Sequence, residues 1–343
     1  MRSDNAYVGL FPAFDEPGGV QASGRLAWDA ITRAAGPSRC TLITYGGARL
    51  PTVRAWLSSR VGAGTRVVVW HIDLLKLLWL PPRRRATVAL FLHGIEAFRR
   101  FSAVERRLLD RVQLFMTNSQ HTWRRVTALN PELASRAHRV VHLGCDAPCA
   151  ADKGPEQPAK ALMLSRLASA EDYKGHREVI AAWPRVLEKA PSTELWIAGD
   201  GDLRRALEAQ AVALGVQAVV KFWGRVTEEQ KQMLLARSSC LVLPSRGEGF
   251  GLVYVEAMRL GRPCLVSDAD AGQEVINAPE AGLAVDPADA AALAAAMTRL
   301  TSPGREWDLW SERARARYER QFTRAHFEAR LVEALEQIEP CAA

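Results

Sequence analysis

The sequence predicts an α/β protein of two open sheets, each covered by helices. Short apolar runs of strand length alternate with helix-like stretches along the chain, as in parallel sheets joined by helical crossovers. The length of 343 residues suits two domains that each bury a core of their own. Residues 145–160, "CDAPCAADKGPEQPAK", are rich in proline and alanine and lack periodicity, which indicates an interdomain linker.

The strand candidates occur in both halves of the chain. In the first half they are "AYVGLF", "CTLIT", "TRVVVWHI", "TVALFLHG", "LFMTNS" and "RVVHLG". In the second half they are "KALMLSRL", "ELWIAGDG", "VVKFWG", "CLVLPS", "PCLVSD" and "GLAVD". Near the end, helical spacing of apolar residues between Trp310 and Leu331 predicts a pair of helices. We therefore divide the chain into residues 1–150, 151–310 and 311–343.

Composition excludes several classes of protein. Hydrophobic residues make up 48% and charged residues 24%, a globular balance that excludes a disordered chain. The N-terminal stretch shows neither a signal peptide nor a membrane-spanning run, so we expect a cytoplasmic protein. The cysteines are scattered without zinc-site spacing, and we expect reduced thiols. They are Cys40, Cys145, Cys149, Cys240, Cys264 and Cys341.

The positive charge is concentrated in the first half. Residues 1–150 contain 21 Lys and Arg against 10 Asp and Glu, and much of the excess lies between Arg83 and Arg125. Solvated helix faces are one interpretation. Contact with anionic lipid head groups, at the inner face of the plasma membrane, is the other, because apolar residues accompany the arginines. No motif supports a nucleic-acid partner.

The second half carries a set of residues suited to a nucleoside diphosphate. In open α/β sheets, ligands bind beyond the carboxyl ends of the strands. Arg166 ends one apolar run and Lys174 follows eight positions later, so two cations meet near one strand end. The turn "GEGFG" at 247–251 adds backbone N–H groups at the start of a helix, where phosphate is favoured.

Two glutamates complete this set. Glu248 lies in the glycine turn and Glu256 eight positions on, in a helix whose neighbouring residues are almost all apolar. A buried glutamate needs a partner, and a carboxylate accepts two hydrogen bonds from vicinal sugar hydroxyls. We therefore expect Glu248 to hold a sugar and Glu256 a ribose.

The stretch "PSRGEGFGLVYVEAMRLGRPCLVSDADAGQEVI" closely resembles the signature of retaining glycosyltransferases with the GT-B fold, of the glycosyltransferase family 4 or "glycosyl transferases group 1" type. Glu248 and Glu256 match the E-x7-E motif of that family. "SRL", "YKGH", "WIAGDGD", "FWGRV" and "GQEV" follow the order of the family, so the resemblance covers the second half.

The resemblance implies a role for each of these residues. Arg166 and Lys174 would grip the diphosphate, Glu256 the ribose, and Glu248 with the amides of Phe250 and Gly251 the transferred sugar. The donor site that it implies also includes Gly249 and Leu252, with Arg225 and Val226 at the base.

The first half resembles the same family less closely. Gly18 and Gly19 in "PGGVQASGRL" match its first glycine loop, where a backbone approaches the ligand closely. His93 in "FLHGIE" matches a histidine that faces the reacting sugar and would be catalytic together with Arg166, Lys174 and Glu248. A strand-end histidine paired with backbone is the other interpretation of His93, and His71 competes for the same role.

The resemblance also implies an architecture and a reaction. Two Rossmann-like domains would face a cleft, with residues 1–150 binding the acceptor, 151–310 the nucleotide sugar, and the final helices crossing back to the first domain. The leaving diphosphate would assist attack by an acceptor hydroxyl with retention of configuration. "HGIE" favours mannose from GDP-mannose, otherwise a UDP-sugar, and a glycan or lipid-linked acceptor in cell-envelope or exopolysaccharide assembly.

No metal cofactor is expected. The aspartates Asp200 and Asp202 in "AGDGD", and Asp268 and Asp270 in "SDADAG", have the D-x-D spacing of metal–diphosphate sites. Both strings lie inside the family signature, where "GDGD" is a loop. We therefore predict that the nucleotide sugar is a co-substrate bound without an essential metal.

Alternatives from other classes remain. A GT-B nucleotide-sugar epimerase would share the nucleotide site, and a catalytically silent partner subunit would bind the nucleotide sugar without turnover. A Rossmann oxidoreductase fits poorly, because "PAFDEPGGVQASG" lacks the G-x-G-x-x-G turn.

Overall fold

A computed structural model describes residues 7–15, 18–47, 49–59, 61–62, 64–80, 86–146 and 155–338. The chain forms two compact units: unit 1 comprises residues 1–144 and 324–343, and unit 2 comprises residues 145–323. Arg83, Arg84 and Arg85 of the basic region lie outside the described residues, as do Cys149 and Cys341. The other four cysteines are free thiols.

Unit 1 is built on a six-stranded sheet with the order β2-β1-β3-β4-β5-β6, in which every pair is parallel. Its strands are β1 (Tyr7–Pro12), β2 (Cys40–Tyr45), β3 (Arg66–Val69), β4 (Thr87–Leu92), β5 (Leu114–Thr117) and β6 (His138–Val140). Its helices are α1 (Gly19–Ala35), α2 (Arg49–Ser58), α3 (Ala103–Leu109), α4 (Gln120–Leu129) and, from the end of the chain, α12 (Arg324–Glu336).

Unit 2 repeats this design with the strand order β12-β11-β10-β7-β8-β9, again parallel. Its strands are β7 (Lys160–Leu164), β8 (Glu194–Ala198), β9 (Val220–Gly224), β10 (Cys240–Leu243), β11 (Cys264–Ser267) and β12 (Gly282–Val285). Its helices are α5 (His176–Lys189), α6 (Arg204–Ala213), α7 (Glu228–Arg237), α8 (Leu252–Met258), α9 (Gly272–Ile276), α10 (Ala290–Thr301) and α11 (Arg305–Gln321).

The central strands have no solvent-facing side. Every residue of β4, β5, β10 and β11 is buried. Helices cover both faces of a parallel sheet, so its strands are continuous apolar runs, which is why the sequence indicated them clearly. Each of the twelve runs named above carries one strand of the described residues, and the predicted α/β class with two parallel sheets is confirmed.

The two helices at the end of the chain belong to different units. Helix α12 packs on α1 in unit 1, where Arg324 pairs with Asp29 at 3.6 Å. Helix α11 stays in unit 2, because Arg317 donates to the carbonyls of Val275 and Glu274 and pairs with Glu280 at 3.0 Å. The contacts divide the chain after residues 144 and 323, whereas the sequence analysis divided it after residues 150 and 310.

Candidate functional site

The loop between β10 and α8 carries Glu248, and a buried tyrosine packs against it. The hydroxyl of Tyr254, in α8, donates to the carbonyl of Leu243 at the end of β10, at 2.8 Å. Gly251 has φ of 80°, and a Cβ there would lie 2.2 Å from the Tyr254 ring. At Gly247 a Cβ would lie 2.7 Å from the ring of Tyr173. Glycine is required at both positions because the two rings pack directly against the loop.

Lys174 and Glu248 form the central ion pair of unit 2. Nζ of Lys174 lies 2.7 Å from Oε1 of Glu248, and their side chains are 12% and 17% exposed. Burial by itself lowers the pKa of Lys174, but the charge and the hydrogen bond of Glu248 outweigh burial and raise the pKa above its usual value. The structure therefore brings together two residues that the sequence placed 74 positions apart.

Glu171 links Arg166 to this pair. Arg166 follows β7, forms an ion pair with Glu171 and is 76% exposed, so its guanidinium is within reach of a ligand. The other carboxylate oxygen of Glu171, Oε2, lies 3.6 Å from Nζ of Lys174. The two predicted diphosphate-binding cations thus share one carboxylate. Glu171 was not predicted as a site residue, although a carboxylate between two cations in "AEDYK" was a usable signal.

Asp270 approaches the Glu248 loop from the turn after β11. It is 3% exposed, and its Oδ2 accepts a hydrogen bond from the backbone N–H of Glu248 at 3.2 Å. Burial, with the charge of Glu248, raises the pKa of Asp270 to about 8. In the sequence, Asp270 was considered only as one of the two aspartates of a D-x-D string. Its position against Glu248 depends on two strand ends meeting in the sheet.

Glu256 occupies a separate ion-pair group. Its Oε1 lies 2.6 Å from Nζ of Lys231 in α7, and Lys231 also pairs with Glu228 at 2.9 Å. The Glu256 side chain is 14% exposed, which confirms that the glutamate of this helix is largely buried and has a partner. Burial lowers the pKa of Lys231, and Glu256 and Glu228 more than reverse this effect. Lys231 was not anticipated, because nothing local marks it among the charges of α7.

The loops after β7 and β8 are interlocked through glycines. A Cβ at Gly199 would lie 1.8 Å from the carbonyl oxygen of Ser165, and one at Gly201 would lie 2.2 Å from that of Leu167. Asp202 accepts hydrogen bonds from the backbone N–H of Ser169 at 2.7 Å and from its hydroxyl at 2.6 Å. This aspartate therefore orders the loop that leads to Lys174. At the next strand end, after β9, Arg225 is exposed and Val226 is half-buried.

In unit 1, His93 is buried at the end of β4. Its Nε2 lies 2.7 Å from the carbonyl oxygen of Trp70, and its backbone N–H donates to Glu96 at 2.6 Å. Burial lowers its pKa to about 4, so the imidazole is neutral at pH 7. The contact with Trp70 is the backbone pairing considered as an alternative. This contact involves Nε2 of His93 and not Nδ1.

The remaining predicted residues of unit 1 are more exposed. His71 follows β3, its side chain is 25% exposed, and its Nδ1 accepts from the N–H of Asp73 at 3.2 Å. Gly18 and Gly19 are exposed at the start of α1, and Gly18 is the residue that precedes the helix.

The described part of the basic region combines arginines with exposed apolar side chains. Ile95 and Val104 are 55% and 56% exposed, and the Arg125 guanidinium lies 4.2 Å from the centroid of the Phe98 ring. Arg100 and Arg107 are also exposed. Among the helices in the described ranges, none is both long and apolar enough to cross a membrane.

Part of unit 2 is similar to known proteins. Residues 158–302 match the model of the family described as glycosyl transferases group 1. This group 1 segment contains Arg166, Lys174, Glu248 and Glu256. It runs from the residues just before β7 to the end of α10, and so covers the sheet of unit 2.

The names of the curated relatives of the group 1 segment refer to different sugars. A glycogen synthase of Mycobacterium tuberculosis is 38% identical over 162 residues, which are 46% of this chain and 38% of the relative. A D-rhamnosyltransferase of Pseudomonas aeruginosa is 39% identical over 130 residues, 37% of this chain and 34% of the relative. A phosphatidyl-myo-inositol mannosyltransferase of M. tuberculosis is 36% identical over 148 residues, 42% of this chain and 38% of the relative. The matched part of the chain spans less than half the length of each relative.

Solved structures share the fold over both units. HepE of Anabaena, solved with UDP and glucose, has a TM-score of 0.75 at 17% identity, over 97% of this chain and 100% of that one. The lipopolysaccharide outer core galactosyltransferase WaaB has a TM-score of 0.69 at 15% identity, over 96% and 99% of the two chains. The fold is that of the GT-B glycosyltransferases, as predicted.

Proposed function

We propose that this protein is a retaining glycosyltransferase that moves a sugar from a nucleoside diphosphate to an acceptor hydroxyl. The observation that carries the proposal is the ion pair between Lys174 and Glu248, which joins the predicted phosphate and sugar positions within the group 1 segment. Two cations near one carboxylate-bearing glycine loop suit a ligand that has a diphosphate at one end and hydroxyl groups at the other.

In this proposal each described residue has one task. Arg166 and Lys174 bind the diphosphate and stabilise the negative charge that develops as it leaves. Glu248, with the amides of Gly249 to Leu252, holds the transferred sugar, and Glu256 accepts the ribose hydroxyls. Arg225 and Val226 contact the base.

The reaction requires little proton transfer by the protein. The bond between the anomeric carbon and the diphosphate breaks, the acceptor oxygen attacks from the same face, and its proton passes to a leaving-group oxygen. Glu248 and Glu256 form the E-x7-E pair of this mechanism. We assign acceptor binding to unit 1. Within it, the Gly18–Gly19 turn is assigned to the donor site and His93 to contact with the reacting sugar. Because the pKa of His93 is about 4, its ring acts as a neutral hydrogen-bonding group near pH 7.

We assign the donor to the GDP-mannose class first and to UDP-sugars second. The names of two relatives, a D-rhamnosyltransferase and a mannosyltransferase, support a mannose-type sugar. The neighbour solved with UDP supports the second choice only as a structural analogue. A cell-envelope or exopolysaccharide glycan, or its lipid-linked precursor, is the proposed acceptor, and the proposed site of action is cytoplasmic.

A thermal-shift panel tests the donor site. GDP, UDP, ADP and their mannose or glucose esters are added, with EDTA present, to the wild-type protein and to Glu256→Ala. A ligand that binds only the folded state raises the melting temperature. Stabilisation by one diphosphate that is lost in Glu256→Ala supports the proposal, and a requirement for Mg²⁺ would contradict its metal-free form. Binding followed by sugar transfer to a lipid-linked acceptor separates a transferase from an epimerase or a silent subunit.

We also propose that the basic region of unit 1 contacts anionic membrane at its surface. Exposed Ile95 and Val104 beside exposed arginines support an interfacial contact, because apolar side chains enter the head-group layer while arginines bind its phosphates. The variant Arg100→Glu/Arg107→Glu should lose sedimentation with phosphatidylglycerol vesicles, as should reversal of Arg83, Arg84 and Arg85. The matched control Arg305→Glu/Arg313→Glu, in unit 2, should retain it. Equal binding by all variants would contradict the contact.

A further inference from the structure

Asp270 is a buried acid whose partners all belong to the site of unit 2. Its Oδ1 accepts the backbone N–H of Gly272 at 2.8 Å, and its Oδ2 accepts that of Glu248 at 3.2 Å. The first contact lies within its own turn. The second links that turn, after β11, to the loop that follows the neighbouring strand β10.

The groups that face Asp270 include an amide, a hydroxyl and a second acid. The Ser245 hydroxyl lies within hydrogen-bond reach at the start of the Glu248 loop, and the charge of the Glu248 carboxylate disfavours ionisation of Asp270. A buried carboxyl group in such surroundings costs free energy that an apolar residue would not. We therefore attribute the role of Asp270 to its contacts with two groups of the loop, Ser245 and the N–H of Glu248.

Glu248 is consequently held at its backbone and at its carboxylate, and its carbonyl also accepts the N–H of Ala271 at 3.3 Å. Asp270 holds its backbone, and Lys174 holds its carboxylate at 2.7 Å. The Lys174 contact comes from the strand-end loop that also carries Arg166, whereas the Asp270 contact comes from the opposite neighbour of β10 in the sheet. Removal of the Asp270 side chain would therefore leave the N–H of Glu248 without this acceptor, while the Ala271 contact and the cations on their own element remain.

We propose that Asp270 is a positioning residue that orients Glu248 toward the transferred sugar and so governs affinity for the sugar part of the donor. This inference rests on the proposed function. The reason is geometric: a carboxylate must lie within hydrogen-bond distance of two hydroxyl oxygens, and a shift of about 1 Å is enough to lose such contacts.

The test compares two ligands that differ only in the sugar. Calorimetry measures the affinities of GDP and GDP-mannose, and of UDP and UDP-glucose, for wild type, Asp270→Ala and Asp270→Asn. The control is Asp268→Ala, which removes an exposed acid from the same turn. The unliganded melting temperature of each variant is recorded.

We expect Asp270→Ala to weaken the nucleotide sugar about tenfold and the bare diphosphate less than about twofold. Asp270→Asn keeps one oxygen acceptor, which can serve the N–H of Glu248 or that of Gly272 but not both, because the amide nitrogen is a donor. We expect it to weaken the nucleotide sugar by about threefold and the bare diphosphate less. Asp268→Ala should match wild type. The ratio of the two affinities is decisive, because a general loss of structure weakens both ligands alike.

Equal loss of both ligands in folded Asp270→Ala, or no loss of either, would overturn the inference. If Asp270→Ala does not fold, Asp270→Asn decides: a loss confined to the nucleotide sugar supports the inference, and an equal loss of both ligands or no loss of either overturns it. A wild-type protein that binds none of the four ligands would refute the proposed function itself, an outcome distinct from the others.

Discussion

Nζ of Lys174 lies 2.7 Å from Oε1 of Glu248, so the loop after β7 is joined by charge to the loop after β10. Both side chains are mostly buried, at 12% and 17% exposure. A buried pair of this kind is costly to break by removing one partner, at about 3–5 kcal/mol. The pair therefore serves to organise the two loops as well as to bind a ligand.

Glu171→Gln should strengthen the binding of a nucleoside diphosphate. The carboxylate of Glu171 contacts both Arg166 and Lys174, so it competes with the phosphates for the same two cations. We expect the Kd for GDP or UDP to fall by about threefold to tenfold, measured by calorimetry. The control Glu188→Gln removes an exposed acid of α5 and should leave Kd unchanged. Weaker binding by Glu171→Gln would show that Glu171 instead holds the cations in place.

Glu256→Gln should lose its contact with the ribose and no other part of the nucleotide. We expect Kd for GDP or UDP to rise about tenfold, and Kd for the 2′,3′-dideoxy analogue to be the same in wild type and variant. The substitution also removes the ion pair with Lys231 at 2.6 Å. This loss is the same whichever ligand is bound, so it does not affect the comparison of the nucleotide with its dideoxy analogue. A similar loss for the dideoxy analogue would exclude ribose binding by Glu256.

Gly199→Ala should destabilise unit 2 severely. The new Cβ would lie 1.8 Å from a backbone oxygen, that of Ser165, which cannot move away as a side chain could. We expect a loss of about 3 kcal/mol or more in the unfolding free energy, measured by urea denaturation. Gly215→Ala is the matched control: its φ is 70° and its Cβ would meet nothing within 4 Å, so only the backbone conformation is penalised. That penalty is about 1–2 kcal/mol. Equal losses in the two variants would contradict the predicted clash.

Unfolding free energy should decrease as the pH is lowered through the range in which His176 would titrate. His176 is fully buried beside the Ser165 hydroxyl, at 3.0 Å, and burial lowers its pKa from 6.5 to about 4. Between these values the unfolded chain binds the proton and the folded chain does not, so acidification favours unfolding. At pH 5 the loss from His176 is about 2 kcal/mol relative to pH 7. In urea denaturation, the difference in unfolding free energy between pH 7 and pH 5 should be smaller for His176→Gln than for the wild-type protein. The same pH dependence in both proteins would be the contrary result.

Much of the fold followed from local pattern. Buried parallel strands are continuous apolar runs, so β4 and β10 were visible as "TVALFL" and "CLVL" before any contact was known. The end of the chain was harder. Helices α11 and α12 have similar spacing of apolar residues, and only the contacts of Arg317 and Arg324 assign them to different units.

The sequence by itself indicated the α/β class, the strands of the described residues and the candidate residues Arg166, Lys174, Glu248 and Glu256, because periodicity and motif spacing are properties of neighbouring positions. Only the tertiary structure decided their partners. Lys231 and Asp270 reach Glu256 and Glu248 from other elements, whereas Glu171 lies between Arg166 and Lys174 in the same loop. In a parallel sheet the order of strands differs from the order in the chain, as β10 beside β7 shows. Residues that meet at a strand end are therefore set by sheet topology and burial, which no local spacing encodes.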